Sequence, residues 1–446
     1  MCAGCLKEEM GLDKVVIVGG GWSGCAAAVA ARKSGCDVVL LERTDMLLGT
    51  GLVGGIMRNN GRFTATEEAI AMGFGDIFKL VDDNCRHTNI EFPGHKHSSL
   101  YDVGTIEPII KKYLLDLGVE IHFESRIVDV DMKENSIKKV IIDDDTFFRG
   151  DVFIDTTGTA GGMANCKKFG NGCAMCVLRC PTYGGRISIT AKTGVTEIIG
   201  VKDDGTVGAM SGSCKLFKES LAPHIVEELD KNGVVVVPIP KEQIDTKKLG
   251  KKACQQYALK EYAENVILLD TGHAKLMAPF YPIENLRSLP GMENARFEDP
   301  YSGGKGNSMR YLGMAPRNDA LQVEGVDNLF CAGEKAGLLV GHTEAIVTGS
   351  LAGFNAARVC LGMDPVILPD TTVIGDAISF VRSEMETEEG RGKKYTFSGS
   401  VLFDRMKERG MYSTNIAEIK NRVAESGLAD LDVKKEIKAA VKPKAS

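Results

Sequence analysis

The segment VVIVGGGWSGCAAAVAARKSGCDVVLLE occupies residues 15–42 and places an alanine-rich run between two apolar runs. Its first four residues are β-branched and apolar, as expected of a buried parallel strand. Residues 25–33 predict a helix that packs closely on a sheet and ends at Gly35, and residues 37–42 predict a second strand. The sequence therefore predicts a β-α-β unit at the start of an α/β fold.

The glycine turn inside this unit fits a nucleotide-binding pattern. Residues 19–24, GGGWSG, match G-x-G-x-x-G, and an acidic residue, Glu42, ends the next strand. The pattern is weak alone, but its place between a strand and a helix makes it strong. Gly19 permits the tight turn, Gly21 lets backbone amides reach a pyrophosphate, and Gly24 lets helix and strand pack closely. The helix N-terminus adds about half a positive charge, and Glu42 is placed to accept hydrogen bonds from ribose hydroxyls.

Composition indicates a globular protein of more than one domain. The chain has 446 residues, of which 43% are hydrophobic and 26% are charged, and 51 are glycine. Its net charge of −6 gives no support for nucleic acid as the main partner. No apolar run approaches the roughly 20 residues that span a bilayer, and the polar N-terminus resembles no signal peptide. We expect a cytoplasmic homo-oligomer with no membrane partner.

Two later segments favour FAD over NAD as the dinucleotide. Residues 155–158, DTTG, and 328–334, NLFCAGE, resemble further signatures of glutathione-reductase-type FAD proteins. In that class an acidic residue, usually Asp and here Glu334, bonds the ribitol of FAD. The resemblance also implies that the helix beginning at residues 341–345 points its N-terminus at the isoalloxazine O2 end. A helix dipole there stabilises negative charge on the reduced flavin.

Other segments resemble the tRNA-modifying flavoproteins. Residues 333–358 are similar to the FAD segment of the folate-dependent uridine methyltransferases and the wobble-uridine carboxymethylaminomethyl enzymes. Residues 289–295, LPGMENA, and 309–311, MRY, resemble the stretch before it. Residues 52–56, LVGGI, are shared more widely, including with the flavin subunit of heterodisulfide reductase. The resemblance covers about a third of the chain and implies an FAD-binding fold.

The chain also departs from those RNA-modifying families. They carry cysteine nucleophiles, one of them beside the early flavin loop, whereas residues 47–62 contain no cysteine and residues 280–283, FYPI, contain none. The long C-terminal RNA-binding domain of the wobble-uridine enzymes is not expected here. RNA uridine modification therefore stays an alternative, and a small-molecule substrate or a redox protein partner is the preferred prediction.

The order of patterns predicts a Rossmann-like FAD-binding domain with an inserted α+β second domain and a helical C-terminal tail. We assign residues 1–165 and 325–363 to the first, 166–324 to the inserted substrate or cluster domain, and 364–446 to the helical extension. Within the inserted domain, residues 216–232 and 241–264 have helical patterns.

Four cysteines predict a metal or redox centre. Cys166, Cys173, Cys176 and Cys180 follow C-x6-C-x2-C-x3-C and precede a proline, and the end of this run resembles a ferredoxin ligand set. A [4Fe–4S] cluster there would give a one-electron entry to the flavin. Structural zinc and free or redox-active thiols are the alternatives. Packing is the expected role of four other cysteines, at positions 25, 36, 331 and 360.

These observations predict an FAD-dependent oxidoreductase without an assigned catalytic residue. Alternatives are an RNA uridine-modifying enzyme, an electron-transfer subunit with flavin and an iron–sulfur cluster, and a flavin-binding regulator. Arg58 and Arg310 are candidates to stabilise charge on the flavin or the substrate, and a salt bridge is the other interpretation. The predicted FAD-binding residues are Gly19, Gly21, Trp22, Ser23, Gly24, Glu42, Arg43, Gly55, Arg58, Ile127, Thr157, Gly158, Gly333, Glu334, Gly341, His342 and Thr343.

Overall fold

A computed structural model gives the fold. It describes residues 13–143, 146–158, 182–200, 209–211, 214–246, 249, 255–278, 281–298, 308–310 and 313–436.

The strands, in chain order, are β1 (Lys14–Val18), β2 (Asp37–Leu41), β3 (Ile56–Met57), β4 (Cys85–Phe92), β5 (His95–Tyr101), β6 (Glu120–His122), β7 (Ile127–Lys133), β8 (Ser136–Ile142), β9 (Phe147–Arg149), β10 (Val152–Asp155), β11 (Ile198–Ile199), β12 (Ala209–Ser211), β13 (Cys214–Leu216), β14 (Val234–Pro238), β15 (Asn265–Asp270), β16 (Ala274–Leu276), β17 (Ser308–Arg310), β18 (Gly313–Met314) and β19 (Leu329–Cys331).

The helices are α1 (Trp22–Ser34), α2 (Gly51–Gly54), α3 (Gly61–Ala71), α4 (Asp76–Asp83), α5 (Ile106–Asp116), α6 (Ile189–Lys192), α7 (Pro223–Asn232), α8 (Glu261–Glu264), α9 (Ile283–Arg287), α10 (His342–Cys360), α11 (Val373–Glu386), α12 (Glu388–Gly392), α13 (Ser400–Glu408) and α14 (Ile416–Glu425).

A five-stranded parallel sheet forms the centre of the first lobe. Its order is β19-β10-β1-β2-β6, so the chain leaves β1 first to one side and later to the other. Val15, Val16 and Ile17 in β1 are fully buried, and burial of each such side chain stabilises the fold by about 1.5–3 kcal/mol. The predicted α/β fold with a parallel sheet is confirmed.

Helices α1 and α10 pack against each other at very short range. A Cβ atom at Gly349 would lie 2.2 Å from the Ser23 carbonyl oxygen, and one at Gly353 would lie 2.2 Å from that of Ala27. Glycine is therefore required at both positions of α10. Gly35 ends α1 with φ 112° and donates its amide to the carbonyls of the last turn, which matches the predicted helix end.

Two antiparallel sheets, β3-β5-β4 and β13-β16-β15-β14, form what we call the second lobe. They share one apolar cluster, in which Ile56 and Leu100 from the first sheet meet Ile267 and Leu269 from the second. The second lobe thus combines strands that precede residue 166 with strands that follow it. The domain boundaries given above stay a prediction.

The helices after residue 364 pack onto the first lobe. Glu68 in α3 is fully buried and accepts hydrogen bonds from the amides of Val373 (2.9 Å) and Ile374 (3.1 Å) at the start of α11. Arg422 in α14 donates to the same carboxylate at 3.0 Å. Because these contacts close the unsatisfied N-terminus of α11, the helical C-terminal region is an integral part of the fold. Among the described helices, none is both long and apolar enough to cross a membrane.

Two predicted helices of the second lobe are wrong in part. Residues 216–232 contain the end of β13, a 3-10 turn at Lys218–Ser220, and a helix that begins only at Pro223. The described part of 241–264 holds 3-10 turns and the four-residue α8. Long-range pairing explains the first difference, since Leu216 pairs with Ala274 in the sheet and such contacts override local helix propensity.

A buried carboxylate joins the two sheets of the second lobe. Asp270 at the end of β15 is fully buried and accepts hydrogen bonds from Arg86 (3.0 Å), His87 (2.8 Å) and Lys218 (2.7 Å). Burial opposes its ionisation, but the hydrogen bonds from Lys218, His87 and Arg86 outweigh burial and hold the pKa of Asp270 below its ordinary value of 3.8.

Replacement Asp270→Asn should lower the free energy of unfolding by about 1.5–3 kcal/mol near pH 7, because three partly exposed donors lose their buried anionic partner. A depressed folded-state pKa stabilises the protein above the unfolded-state pKa, and this contribution is lost as pH falls through the folded-state pKa. Urea unfolding of both proteins at a series of pH values from about pH 7 down to about pH 2.5 should show the difference shrinking below about pH 4. A difference that stays constant with pH would mean that packing, and not charge, is responsible.

Candidate functional site

The site begins where the strand order reverses, between the carboxyl ends of β1 and β10. Gly19 follows β1 with φ +107°, and a Cβ atom there would lie 2.6 Å from the Thr156 carbonyl oxygen. A Cβ atom at Gly24 would lie 1.9 Å from the Gly19 carbonyl oxygen. These two glycines are required by the packing of helix on sheet. Ligands of open α/β sheets bind at this reversal of strand order.

Gly21 is different, because a Cβ atom there would meet nothing within 4 Å. It is the N-cap residue of α1, with extended backbone (φ −70°, ψ −176°), and no side chain caps the helix. The first-turn amides of α1 therefore receive no side-chain cap from residue 21, and this helix end carries partial positive charge. Packing does not explain a glycine at this position, whereas close approach of a phosphate does.

Glu42, the acidic residue after β2, lies beside the glycine turn that follows β1. The Glu42 carboxylate accepts hydrogen bonds from the amides of Gly20 (2.7 Å) and Thr44 (2.8 Å), and from the Thr44 hydroxyl (2.9 Å). These donors fix the carboxylate at the end of the strand. Each carboxylate oxygen has more than one acceptor site, so a ribose hydroxyl can be added to this arrangement.

A second helix N-terminus lies beside the first. Gly341 is the N-cap residue of α10, with φ +150° and without a side-chain cap. The His342 ring lies 6.3 Å, centroid to centroid, from the Trp22 ring at the start of α1. Gly333 after β19 donates its amide to the Thr348 hydroxyl at 2.9 Å. The sheet edge therefore presents two uncapped helix N-termini side by side.

A buried ion pair fixes the first turn of α10. Arg62 donates to both carboxylate oxygens of Glu344 at 3.1 Å, and their side chains are 5% and 0% exposed. Glu344 also accepts hydrogen bonds from the Thr396 hydroxyl (2.7 Å) and the Phe397 amide (2.8 Å). The C-terminal region thus determines where this helix N-terminus points. No local sequence pattern predicts this pair, because its members are 282 residues apart.

The end of β10 is held by a polar network. Asp155 is fully buried and accepts hydrogen bonds from the Thr157 hydroxyl (2.7 Å) and the Thr190 hydroxyl (2.7 Å). Ser188 bridges Asp155 to Glu197, which pairs with the buried Lys335 at 2.5 Å. Thr157, which was predicted to bind FAD, and Lys335, which follows the predicted Glu334, therefore belong to one hydrogen-bonded network.

Other predicted residues lie elsewhere around the site. The Arg58 guanidinium pairs with Asp82 and Glu67, both at 2.6 Å, so its charge is neutralised by two carboxylates. Arg43 donates to the Gly184 carbonyl at 2.5 Å. Ile127 is buried at the start of β7. Arg310 is described only as a residue of β17, paired with Ala209.

The remaining predicted residues have these positions. Gly55 follows α2 with φ +79°, Gly158 has φ +73°, Glu334 lies in the 3-10 turn Gly333–Ala336, and Thr343 is buried in the first turn of α10. Trp22 and Ser23 form the first turn of α1.

The predicted metal ligands Cys166, Cys173, Cys176 and Cys180 lie outside the described residues. Within the described residues, no group of three or more His, Cys, Asp or Glu side chains is arranged to hold a metal ion. Burial raises the pKa of the Cys331 thiol, and that of Cys85, to about 12, so both stay protonated. The packing role predicted for Cys331 fits its full burial.

FAD fits the residues of this edge. Gly21 leaves open the space that a pyrophosphate needs beside the α1 amides. The start of α10, which has no side-chain cap, offers a second set of amides at the same edge of the sheet. Two anion-binding helix ends and an acidic strand end are the elements that a dinucleotide needs.

Substitution by alanine should have different effects at Gly21, where the Cβ position is open, and at Gly24, where it is occupied. Gly21→Ala should leave the free energy of unfolding within about 0.5 kcal/mol of the parent and weaken FAD binding at least about tenfold, because the methyl group enters the phosphate space. Gly24→Ala should cost about 1–3 kcal/mol or more in stability through overpacking. Urea unfolding and flavin titration measure the two effects.

Gly185→Ala is the matched control, since a Cβ atom at Gly185 also meets nothing within 4 Å and Gly185 is not part of the glycine motif. It should change neither stability nor FAD affinity. Unaltered FAD affinity in Gly21→Ala would show that the pyrophosphate binds elsewhere.

Two family models match parts of the chain. The model described as FAD dependent oxidoreductase matches residues 14–166, and the model described as glucose inhibited division protein A matches residues 271–364.

Curated relatives match over shorter segments. The methylenetetrahydrofolate–tRNA-(uracil-5-)-methyltransferase TrmFO of Bacillus cytotoxicus is 35% identical over 103 residues, which cover 22% of this chain and 22% of that protein. TrmFO of Dictyoglomus thermophilum is 32% identical over 150 residues, covering 33% of this chain and 31% of that protein. The matched segments thus span less than a third of these relatives' length.

A solved structure shows the same fold over nearly the whole chain. The structure of Aquifex aeolicus GidA in its form II crystal superposes with a TM-score of 0.68 at 17% identity, covering 96% of this chain and 75% of that one. Together these matches confirm the resemblance predicted from the sequence: residues 14–166 are similar to FAD-dependent oxidoreductases, other segments are similar to TrmFO proteins and to glucose inhibited division protein A, and the fold resembles that of the GidA structure.

Proposed function

We propose that this chain binds one extended FAD molecule along the edge formed by α1 and α10 and performs redox chemistry on a substrate held between the two lobes. The observation that carries the proposal is the pair of uncapped helix N-termini at one edge of the parallel sheet. Each N-terminus supplies backbone donors and partial positive charge, at no cost in side-chain ordering.

Each part of the site has a role in this proposal. The α1 amides would hold the pyrophosphate, Glu42 would accept from the adenosine ribose, and Glu334 would accept from the ribitol. The α10 amides at His342 and Thr343 would serve the flavin end of FAD, where a helix N-terminus favours negative charge. The flavin supplies hydride or electron exchange with the substrate, and the protein supplies orientation and electrostatics.

Tyr101 and His342 contribute polar side chains to one side of the site. The Tyr101 hydroxyl donates to the Gly51 carbonyl at 2.7 Å and lies 3.2 Å from Nδ1 of His342. Burial raises the pKa of Tyr101 above its ordinary range, so the hydroxyl remains a proton donor at physiological pH. The contact with Nδ1 orients the His342 ring. Because Tyr101 is fully buried, it also excludes water from that side of the ring.

An absorption spectrum of anaerobically purified protein tests the cofactor proposal. We expect flavin peaks and equimolar FAD released by acid, and full recovery of the peaks when apoprotein is mixed with FAD. Folded protein that takes up no FAD under these conditions would exclude redox chemistry at this site.

The iron–sulfur proposal depends on the cysteine run at 166–180. The motif spacing is its support, and the same spectrum tests it, since thiolate-bound iron adds a broad shoulder at roughly 400 nm. The double variant Cys173→Ser/Cys176→Ser should lose iron and the shoulder while it keeps the flavin peaks. A wild-type protein without iron would discard the cluster.

Modification of a uridine in tRNA is the second candidate function. It is favoured by the match of residues 271–364 to the glucose inhibited division protein A model and by the identity to TrmFO proteins. Against it stands the absence of a cysteine from residues 47–62. A uridine-modifying enzyme must bind RNA, and binding can be measured without knowledge of the co-substrate.

If this second function is right, unmodified tRNA binds with an affinity that falls about a thousandfold between 50 and 200 mM salt, because contacts to several phosphates release counterions. Fluorescence anisotropy with labelled tRNA measures the slope, and a DNA hairpin of the same length is the control for non-specific attraction. Binding that is absent at 50 mM salt, or equal for the DNA hairpin, would exclude tRNA as a specific substrate.

A further inference from the structure

Three consecutive carbonyls of the short helix α2 each accept a hydrogen bond from a side chain of the second lobe. The Tyr101 hydroxyl donates to Gly51 at 2.7 Å. The Lys215 ammonium donates to Leu52 at 3.1 Å, and the Lys275 ammonium donates to Val53 at 2.7 Å. The donors lie on β5, β13 and β16, so both sheets of the second lobe reach the same short segment.

The two lysines occupy an unusual position. Lys215 and Lys275 are directly opposite each other in the antiparallel pair β13–β16, and like charges in such pairs destabilise a sheet. Lys275 is only 5% exposed, which adds a cost of removing an ammonium group from water. The hydrogen bonds that both ammonium groups donate to α2 carbonyls offset the unfavourable free energy of placing two lysines here.

α2 also touches the start of α1 and the start of α10. A Cβ atom at Gly51 would lie 2.4 Å from Nε1 of Trp22, in the first turn of α1. A Cβ atom at Gly54 would lie 1.5 Å from Cε1 of His342, at the start of α10. α2 is therefore a wall that bridges both helix N-termini, and it has no room for side chains at these two positions.

α2 cannot hold this place by itself. A four-residue helix lies far below the length at which isolated helices are stable, and its last carbonyls have no partners within the helix. Cationic donors at a helix C-terminus offset the partial negative charge there. The position of the wall is thus set by Tyr101, Lys215 and Lys275.

We propose that Lys215 and Lys275 are positioning residues for FAD, which act by holding α2 against Trp22 and His342 from the second lobe. The proposal rests on FAD binding at the edge formed by α1 and α10. Because binding energies at linked sites are reciprocal, a cofactor that needs α2 in this position also holds β13 and β16 in place. FAD binding and order in the sheet that contains β13 and β16 are therefore coupled through two lysines.

The test uses the full-length double variant Lys215→Met/Lys275→Met, which keeps the length of the side chains and removes the donors. We expect an FAD dissociation constant about 10- to 100-fold above that of the wild type, since charged hydrogen bonds to the wall are lost. The visible circular dichroism of bound flavin should also change. Lys215→Arg/Lys275→Arg, which retains donors, should restore both properties to near wild type.

Lys218→Met is the matched control from the same lobe. Lys218 pairs with Asp270 and not with α2, so this variant should lose stability while FAD affinity stays within about twofold. Hydrogen exchange gives a second readout: FAD should slow exchange of the β13 and β16 amides in the wild type and not in the double Met variant. If the double variant fails to fold, the single Lys275→Met variant should show the same effects in smaller measure.

Wild-type FAD affinity and unchanged flavin dichroism in the Met variant would overturn the proposal. So would a loss of affinity that the Arg variant does not restore, or one that Lys218→Met reproduces, since either result means a general effect on stability. A wild-type protein that binds no FAD would instead remove the proposed function, which separates the two failures.

Discussion

The close contact between the Gly19 turn and the end of β10 is the constraint on which the site depends. Gly24 lies so near the Gly19 carbonyl, and Gly19 so near that of Thr156, that no side chain fits at either glycine. This contact fixes the start of α1 over the reversal of strand order, where amides can face a ligand. The packing of α10 on α1 then places the second helix N-terminus at the same edge, so one set of glycine contacts sets both ends of the cofactor site.

The elements around this edge come from distant parts of the chain, and each contributes a different kind of contact. Glu344 is tied to Arg62 from α3 and to Thr396 from the C-terminal region. Tyr101, on β5, reaches the carbonyl of Gly51. Buried charge pairs of this type are costly to break and add little net stability. Their consequence here is geometric, because they fix the direction of the α10 N-terminus, which must be set before a flavin can bind.

Local patterns explain which parts of this architecture were predictable from the sequence. The unit at residues 15–42 was predictable because strand, turn and helix signals are all contained within it. The helix predicted at 216–232 failed at its start because Leu216 pairs with Ala274, far along the chain. Lys215 and Lys275 carried no recognisable signal, since their contacts to α2 cross 163 and 222 residues. Side-chain contacts over such separations depend on the assembled fold and have no periodic pattern.

The motif glycines separate what the fold requires from what a ligand requires. A side chain at Gly24 is excluded by the protein itself, so that glycine would be needed even in a protein without a cofactor. Gly21 has an ordinary φ and open space around its Cβ position, so neither backbone strain nor packing accounts for it. Glycine loses more conformational entropy on folding than other residues do, and neither packing nor backbone conformation within the protein offsets that loss at Gly21. A group that approaches the backbone of α1 from outside would account for the glycine, and beside the amides of a helix N-terminus an anion is the group that fits.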